Sequence, residues 1–206
     1  MANMDLDTVQ RAYSRWSRVY DLVFGWGTRQ ACQRGISMLR LGRSARVLVV
    51  GVGTGLSLPF FPADKHVYGV DISKAMLARA RARAAGPGRA LIEGDVAHLP
   101  FREGSFDGVL APYVVSAVPD PLAMLREIRR VAKPGARIVL LNHFASEHPL
   151  LAAFERAVAP TTSRMLGFHS HFDVSPLLRE LGLEVGETER LPPFGYWRAL
   201  RVVEPG

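Results

Sequence analysis

Three observations predict an α/β fold built on a mostly parallel sheet. The run Val47-Leu48-Val49-Val50 feeds into Gly51-Val52-Gly53-Thr54-Gly55. Further short β-forming runs follow, separated by segments with helical spacing. Acidic residues, Asp71 and Asp95, close the second and third of these runs. Strands that alternate with helices pair in parallel through right-handed crossovers. An uninterrupted apolar strand such as Val47–Val50 is what a sheet covered on both faces requires.

Taken in order, the chain opens with a predicted helix from about Leu6 to Phe24. Leu6, Val9, Tyr13, Trp16, Tyr20 and Val23 recur at spacings of three and four, which gathers them on one stripe, and Arg11, Arg15 and Arg18 fall on the opposite side. A second helix is predicted from about Arg29 to Leu39, ending near Gly42. Strands are expected at Val47–Val50, His66–Val70, Ala90–Ile92, Phe106–Leu110 and Arg137–Leu141. A helix through Met76 and Ala80 follows the second strand. Another covers Pro121–Ala132 and is stopped by Lys133-Pro134-Gly135. Residues 148–168 are expected to be irregularly helical. A short helix over Ser175–Leu181 precedes two last strands, Leu183–Arg190 and Ala199–Val203. No internal repeat or low-complexity linker divides the chain, so 1–206 is read as a single domain: residues 1–45 form a helical segment and residues 46–206 the sheet core.

The 206 residues suffice for a sizeable core, and 48% hydrophobic with 22% charged residues is an ordinary globular balance. One cysteine, Cys32, excludes an intrachain disulfide. Asp5 and Asp7 precede any apolar run, which argues against a secretory signal, and the apolar stretches are too broken by Gly and Pro to span a bilayer. The formal charge is +7, and residues 1–46 contribute eight arginines against three acids. Basic charge gathered at one end suits an anionic partner, a membrane surface or a nucleic acid, although a solvated helix face is the plainer account.

The chemistry centres on the glycines. They let the backbone turn sharply and approach a ligand where a Cβ would collide. A strand, a glycine turn and a helix is how open α/β sheets hold nucleotides at the carboxyl ends of their strands. In the dinucleotide fingerprint the third glycine opens the helix; here Leu56 stands in that place and the third glycine comes early, at Gly55. Asp71, twenty residues after Gly51, can accept hydrogen bonds from both hydroxyls of a ribose. Asp95, in Glu93-Gly94-Asp95-Val96, is either a second ligand contact or a turn residue.

The G-x-G-x-G pattern with Asp71 and Asp95 resembles that of class I S-adenosylmethionine (SAM) methyltransferases. The likeness narrows to the bacterial phosphatidylethanolamine N-methyltransferases on Tyr13-Ser14-Arg15-Trp16-Ser17-Arg18-Val19-Tyr20-Asp21, Gly51–Pro59, Val114-Val115-Ser116-Ala117-Val118-Pro119 and Asn142-His143-Phe144. Quinone-pathway methyltransferases share the Tyr-rich first helix. The resemblance implies a Rossmann-like, seven-stranded, mostly parallel sheet with one antiparallel strand, helices on both faces and an amphipathic lid helix at the N-terminus. It implies a SAM site formed by Tyr20, Gly51, Gly53, Thr54, Gly55, Asp71, Ile72, Asp95, Val96 and Ala111, and no metal. Tyr20 and His143 become candidates for activating an amine, and Arg11, Arg15, Trp16 and Arg18 for touching an anionic membrane. A phospholipid substrate and a peripheral place on the cytoplasmic face of the membrane follow from the same likeness; a monomer is the working expectation, and the sequence leaves the oligomeric state open. One departure stands out: Val49 occupies the position, two residues before the first glycine, where the family carries a carboxylate for the methionine ammonium. A small-molecule or quinone-type acceptor, and cofactor binding without catalysis, are the competing readings. A nucleic-acid substrate is disfavoured, because no N/D-P-P-Y/F motif is present.

Overall fold

A computed structural model of the chain describes residues 28–142, 173–191 and 197–203. Helix α1 covers 28–38. It is followed by β1 (Arg46–Val50), a 3-10 turn (Leu58–Phe60), β2 (His66–Asp71), α2 (Lys74–Ala80), β3 (Arg89–Glu93), β4 (Phe106–Pro112), α3 (Pro121–Val131) and β5 (Ala132–Asn142). Then come α4 (Ser175–Glu180), β6 (Glu184–Leu191) and β7 (Trp197–Val203). The first predicted helix and the segment 148–168 lie outside the described residues.

The seven strands form one sheet in the order β3-β2-β1-β4-β5-β7-β6. β1 pairs in parallel with β2 and β4, and β7 runs antiparallel to both β5 and β6. This is the predicted sheet, with β7 as its one antiparallel strand. Side chains alternate across it with period two, as pleating demands. Leu48, Val50, Val109, Ala111 and Leu140 join the layer formed with α3 and α4, which includes Met124, Ile128 and Leu178. Val47, Val49, Leu110, Val139 and Leu141 join the layer formed with α1 and α2, which includes Ala31, Cys32, Leu77 and Ala80. Both faces are therefore covered at the centre of the sheet, which is why β1, β4 and the second half of β5 are mostly apolar, whereas the edge strand β6 alternates half-buried with exposed residues, charges among them.

Two local departures matter for the site. After the glycine turn the chain makes only the 3-10 turn Leu58–Phe60 in place of a full helix. Pro62 lacks an N–H and drives Phe61 to an extended conformation (φ −75°, ψ 132°), which stops the turn. Between β3 and β4 there is also no helix: residues 94–105 form a chain of turns. Elsewhere the capping chemistry is regular. Ser73 Oγ accepts the Met76 N–H (3.3 Å) to start α2, and Asp120 accepts the Ala123 N–H (2.8 Å) to start α3, with Pro121 in the first turn. α3 ends at Val131, and β5 begins earlier than the sequence suggests. Phe106 pairs with Ala132 and Gly108 with Arg137, so Lys133-Pro134-Gly135-Ala136 bulges out of the ladder.

Candidate active site

The strand order reverses between β1 and β4, and a crevice opens there at the carboxyl ends of the strands, as expected of an open α/β sheet. It is lined by Thr28 and Cys32 from α1, by Gly51-Val52-Gly53-Thr54 with Leu56 and Ser57, by Asp71-Ile72-Ser73 and Met76, by Asp95 and Val96, and by Pro112-Tyr113-Val114 with Ala117-Val118-Pro119.

The glycine loop is shaped by three left-handed glycines with distinct jobs. At Gly51 (φ +65°) a Cβ would stand 2.5 Å from Val114 Cγ2. At Gly55 (φ +78°) it would meet Leu58 Cδ1 at 2.9 Å and Ala80 Cβ at 3.0 Å. At Gly53 (φ +56°) it would meet nothing within 4 Å. Gly51 and Gly55 are thus closed by protein packing, whereas Gly53 leaves its space to the crevice. Gly53 also donates its N–H to Asp71 Oδ2 at 2.8 Å, and the Ser73 N–H donates to Asp71 Oδ1 at 2.9 Å. Asp71 therefore ties the loop to the end of β2. A carboxylate offers about four acceptor positions, so two remain for a ligand. Burial raises its carboxyl above the ordinary aspartate value, and the two N–H donors pull the other way. Arg83 Nη1 braces the loop from behind, donating to the Thr54 carbonyl at 2.8 Å.

Asp95 is both a turn residue and a wall of the crevice. Its Oδ1 accepts the Ala97 N–H at 2.9 Å, and its Oδ2 lies 3.4 Å from His98 Nδ1. Ile72 and Val96 line the crevice beside the two aspartates. Gly55 and Ala111 do not line it. Gly55 is turned into packing, and the Ala111 side chain is fully buried against the α3 layer, so β4 reaches the crevice one residue later, through Pro112 and Tyr113. Tyr20, His143, Arg11, Arg15, Trp16 and Arg18 lie outside the described residues.

Sequence reasoning missed several walls of the site. Ser57 follows the glycine motif; it is 2% exposed, and its Oγ has no hydrogen-bond partner. Of the segment Pro112–Pro119, the sequence singles out Val114–Pro119 only as part of the family likeness and gives it no place in the site, although sites form beyond strand ends. Thr28 and Cys32, one turn apart on α1, carried no signal. Burial pushes the Cys32 thiol up to about 12, so it is a neutral, apolar part of the wall. Tyr113 sits at φ +58°, unusual for a bulky residue. Its N–H donates to the Leu141 carbonyl at 2.6 Å, and its ring meets Trp197 edge-on at 6.0 Å, which holds the strained conformation in place.

The lining fits SAM. Its charged side chains are two carboxylates with no cation among the described residues, which suits a sulfonium ligand that has no phosphate. The space above Gly53 and the unsatisfied Ser57 hydroxyl are the features a bound ligand would fill.

Comparison with known proteins agrees. Residues 48–140 match the model of a methyltransferase domain. The chain is 39% identical over 202 residues to a phosphatidylethanolamine N-methyltransferase of Cereibacter sphaeroides, covering 96% of this chain and 98% of that one. The chain belongs to the SAM-dependent methyltransferases. A demethylmenaquinone methyltransferase of Clavibacter sepedonicus is 31% identical over 166 residues, with 78% of this chain and 66% of that one aligned. The fold matches the magnesium protoporphyrin IX methyltransferase of Synechocystis PCC 6803, solved with S-adenosylhomocysteine (SAH) bound. There the TM-score is 0.75 at 22% identity, covering 98% of this methyltransferase and all of its neighbour.

Proposed function

We propose that this methyltransferase acts on the amine of phosphatidylethanolamine, in steps through the mono- and dimethyl forms to phosphatidylcholine, at an anionic membrane surface. The observation that carries this reading is the extent of the similarity. The phosphatidylethanolamine enzyme aligns over nearly the full length of both chains, whereas the quinone enzyme aligns over 78% of this chain and 66% of its own. Among the described residues no helix is long and apolar enough to cross a membrane, so the reading is of a protein that meets the lipid from one side.

SAM supplies an electrophilic methyl group on sulfur, and the acceptor supplies a nitrogen lone pair. Transfer between them is an in-line displacement, for which positioning is the main lever. The Gly51–Thr54 loop, Asp71 and Asp95 hold the nucleoside side. The wall from Pro112 to Pro119 bounds the opposite side, where an acceptor would stand. This wall is mostly apolar, which favours desolvation of the amine. The amine must lose a proton before or during attack, and His143 and Tyr20 are the proposed partners for that step. Arg11, Arg15 and Arg18 are the proposed membrane contacts, with Trp16 at the headgroup level. Each basic residue near an anionic surface is worth about 1 kcal/mol, so three give about a hundredfold in partitioning.

The test is incubation with SAM and vesicles containing phosphatidylethanolamine, followed by lipid analysis, beside a parallel reaction with demethylmenaquinone. Methylated phosphatidylethanolamine is the expected product. Turnover of the quinone with no change in the lipid would replace this reading by the quinone one.

A further inference from the structure

The connection between β3 and β4 carries Asp95 and Val96 into the crevice, yet it contains no helix to stiffen it. Its support comes from two residues one turn apart on α3. Glu127 Oε2 accepts the Leu99 N–H at 2.7 Å. Arg130 donates from Nη1 to the Phe101 carbonyl at 2.8 Å and from Nη2 to the Leu99 carbonyl at 3.0 Å. The two side chains are joined as a fork, Nε to Oε1 at 2.7 Å and Nη2 to Oε2 at 2.7 Å. Charge-assisted bonds of this planar kind fix geometry as well as adding energy. Below the fork, Leu99 is buried and the Phe101 ring stands edge-on to Phe106 at 4.8 Å. Above it, the turn is closed by the His98 N–H on the Asp95 carbonyl (3.0 Å) and by Ala97 N–H on Asp95 Oδ1 (2.9 Å). The chain from Arg130 to Asp95 is therefore continuous: fork, Leu99, turn, carboxylate.

We infer that Glu127 and Arg130 are positioning residues that set how Asp95 recognises the amino edge of the cofactor's adenine, although neither lines the crevice. The inference rests on the proposed placing of Asp95 on the nucleoside side, narrowed here to the adenine amino group, which the likeness to class I methyltransferases implies for an acid at the end of the third strand. Rigidly held, Asp95 keeps one carboxylate oxygen aimed at an amino donor. With the fork removed, the turn keeps its own hydrogen bonds but loses its fixed distance from the sheet. Recognition of the amino group then weakens while the rest of the site stays.

The experiment compares binding of SAH with that of its inosine analogue, in which a carbonyl replaces the adenine amino group. Calorimetric titration is run on the native chain, Arg130→Ala and Arg130→Lys, with melting temperatures recorded in parallel. The native chain should prefer SAH. Arg130→Ala should lose about tenfold in SAH affinity, the worth of one good hydrogen bond to a charged group, with little change for the analogue. Arg130→Lys keeps the charge without the fork; it should show the same loss of discrimination, and it serves if the alanine variant does not fold. A parallel fall for both ligands, or a lowered melting temperature with discrimination intact, would reduce the pair to a structural staple and overturn the inference. A native chain that binds both ligands equally would instead remove the reading of Asp95 on which it rests.

Discussion

On the β1–β3 side of the crevice, functional groups are placed by hydrogen bonds. Asp71 holds Gly53 and Ser73, Arg83 holds Thr54, and Asp95 holds Ala97. On the β4 side the wall from Pro112 to Pro119 is placed mainly by packing: Val114 against Gly51, Tyr113 against Trp197, with Val115 and Ala117 buried. The difference follows from what each side has to do. A nucleoside presents fixed donors and acceptors, and matching them demands pre-set polar atoms. On the function proposed above, the acceptor would present apolar bulk and one nitrogen, for which shape and dryness count for more. A polar framework concentrates its signal in a few residues, whereas a packed wall spreads it over many.

The largest effect is expected where the two sides meet under β1. Val49 is fully buried in the layer of Ala31, Cys32, Leu110 and Leu141. Val49→Glu would restore the family's carboxylate, but it would put a charge among apolar side chains. An uncompensated buried charge costs about 3–5 kcal/mol. For a chain of this size the melting temperature should fall by roughly 10 °C, read by calorimetry without ligand. A variant as stable as the native chain, with tighter SAH binding, would show that this side chain reaches the methionine end after all.

A paired test separates ligand space from packing space. Gly53→Val and Gly55→Val both place a β-branched residue at positive φ, costing roughly 1–2 kcal/mol in stability. Gly53→Val should also fill the open crevice and abolish SAH binding at concentrations that saturate the native chain. Gly55→Val should collide with Leu58 and Ala80 and lose more stability than Gly53→Val. If Gly53→Val binds SAH normally, the ligand does not pass over this loop.

This pair also shows what was legible in the sequence. The sheet and its order of acidic strand ends could be anticipated, because buried parallel strands and glycine turns leave dense local patterns. Gly51, Gly53, Thr54, Asp71, Ile72, Asp95 and Val96, all named from the sequence as cofactor contacts, line the crevice. Thr28 and Cys32 could not be foreseen, since they reach it through the tertiary placement of α1. The Glu127–Arg130 fork was equally silent, because a charged pair at helical spacing looks like any solvated face. Ala111 stays in the core and Pro112 is the first residue of β4 to line the crevice, since strand length decides which side chain emerges.

Asp71→Asn comes next. An amide can accept on one atom only, so one of the two N–H bonds is lost along with the charge. SAH affinity should fall about tenfold to a hundredfold, the worth of a hydrogen bond to a charged group. The native chain carries a pH signature as well. Burial raises the folded carboxyl above its ordinary value of 3.8. The folded chain therefore holds this proton more readily than the unfolded chain does. Its contribution to stability is largest in acid and is lost as pH rises through the raised value. Binding that needs the ionised form should run the other way, weakening on acidification at a higher pH than an exposed aspartate would give. Titration of SAH affinity against pH checks this, and the asparagine variant should be flat across the same range.

Tyr113→Gly tests the packed wall alone. The substitution suits φ +58° and removes the ring. SAH affinity should stay within about threefold of native, and turnover with a lipid acceptor should fall roughly tenfold, the pattern of a group used only with the second substrate. Equal losses in both would place Tyr113 on the cofactor side.

The smallest effect belongs to Ser57→Ala, and its sign is the informative part. The Ser57 hydroxyl is buried without a partner, so in the free protein its loss removes an unsatisfied polar atom. The melting temperature without ligand should hold or rise by a degree or two. If the hydroxyl is satisfied by the bound cofactor, SAH affinity should fall about fivefold, the worth of one net hydrogen bond of about 1 kcal/mol. Free and bound proteins would then move in opposite directions, which a simple packing residue would not do. A lower melting temperature with unchanged SAH affinity would show that Ser57 serves the turn rather than the ligand.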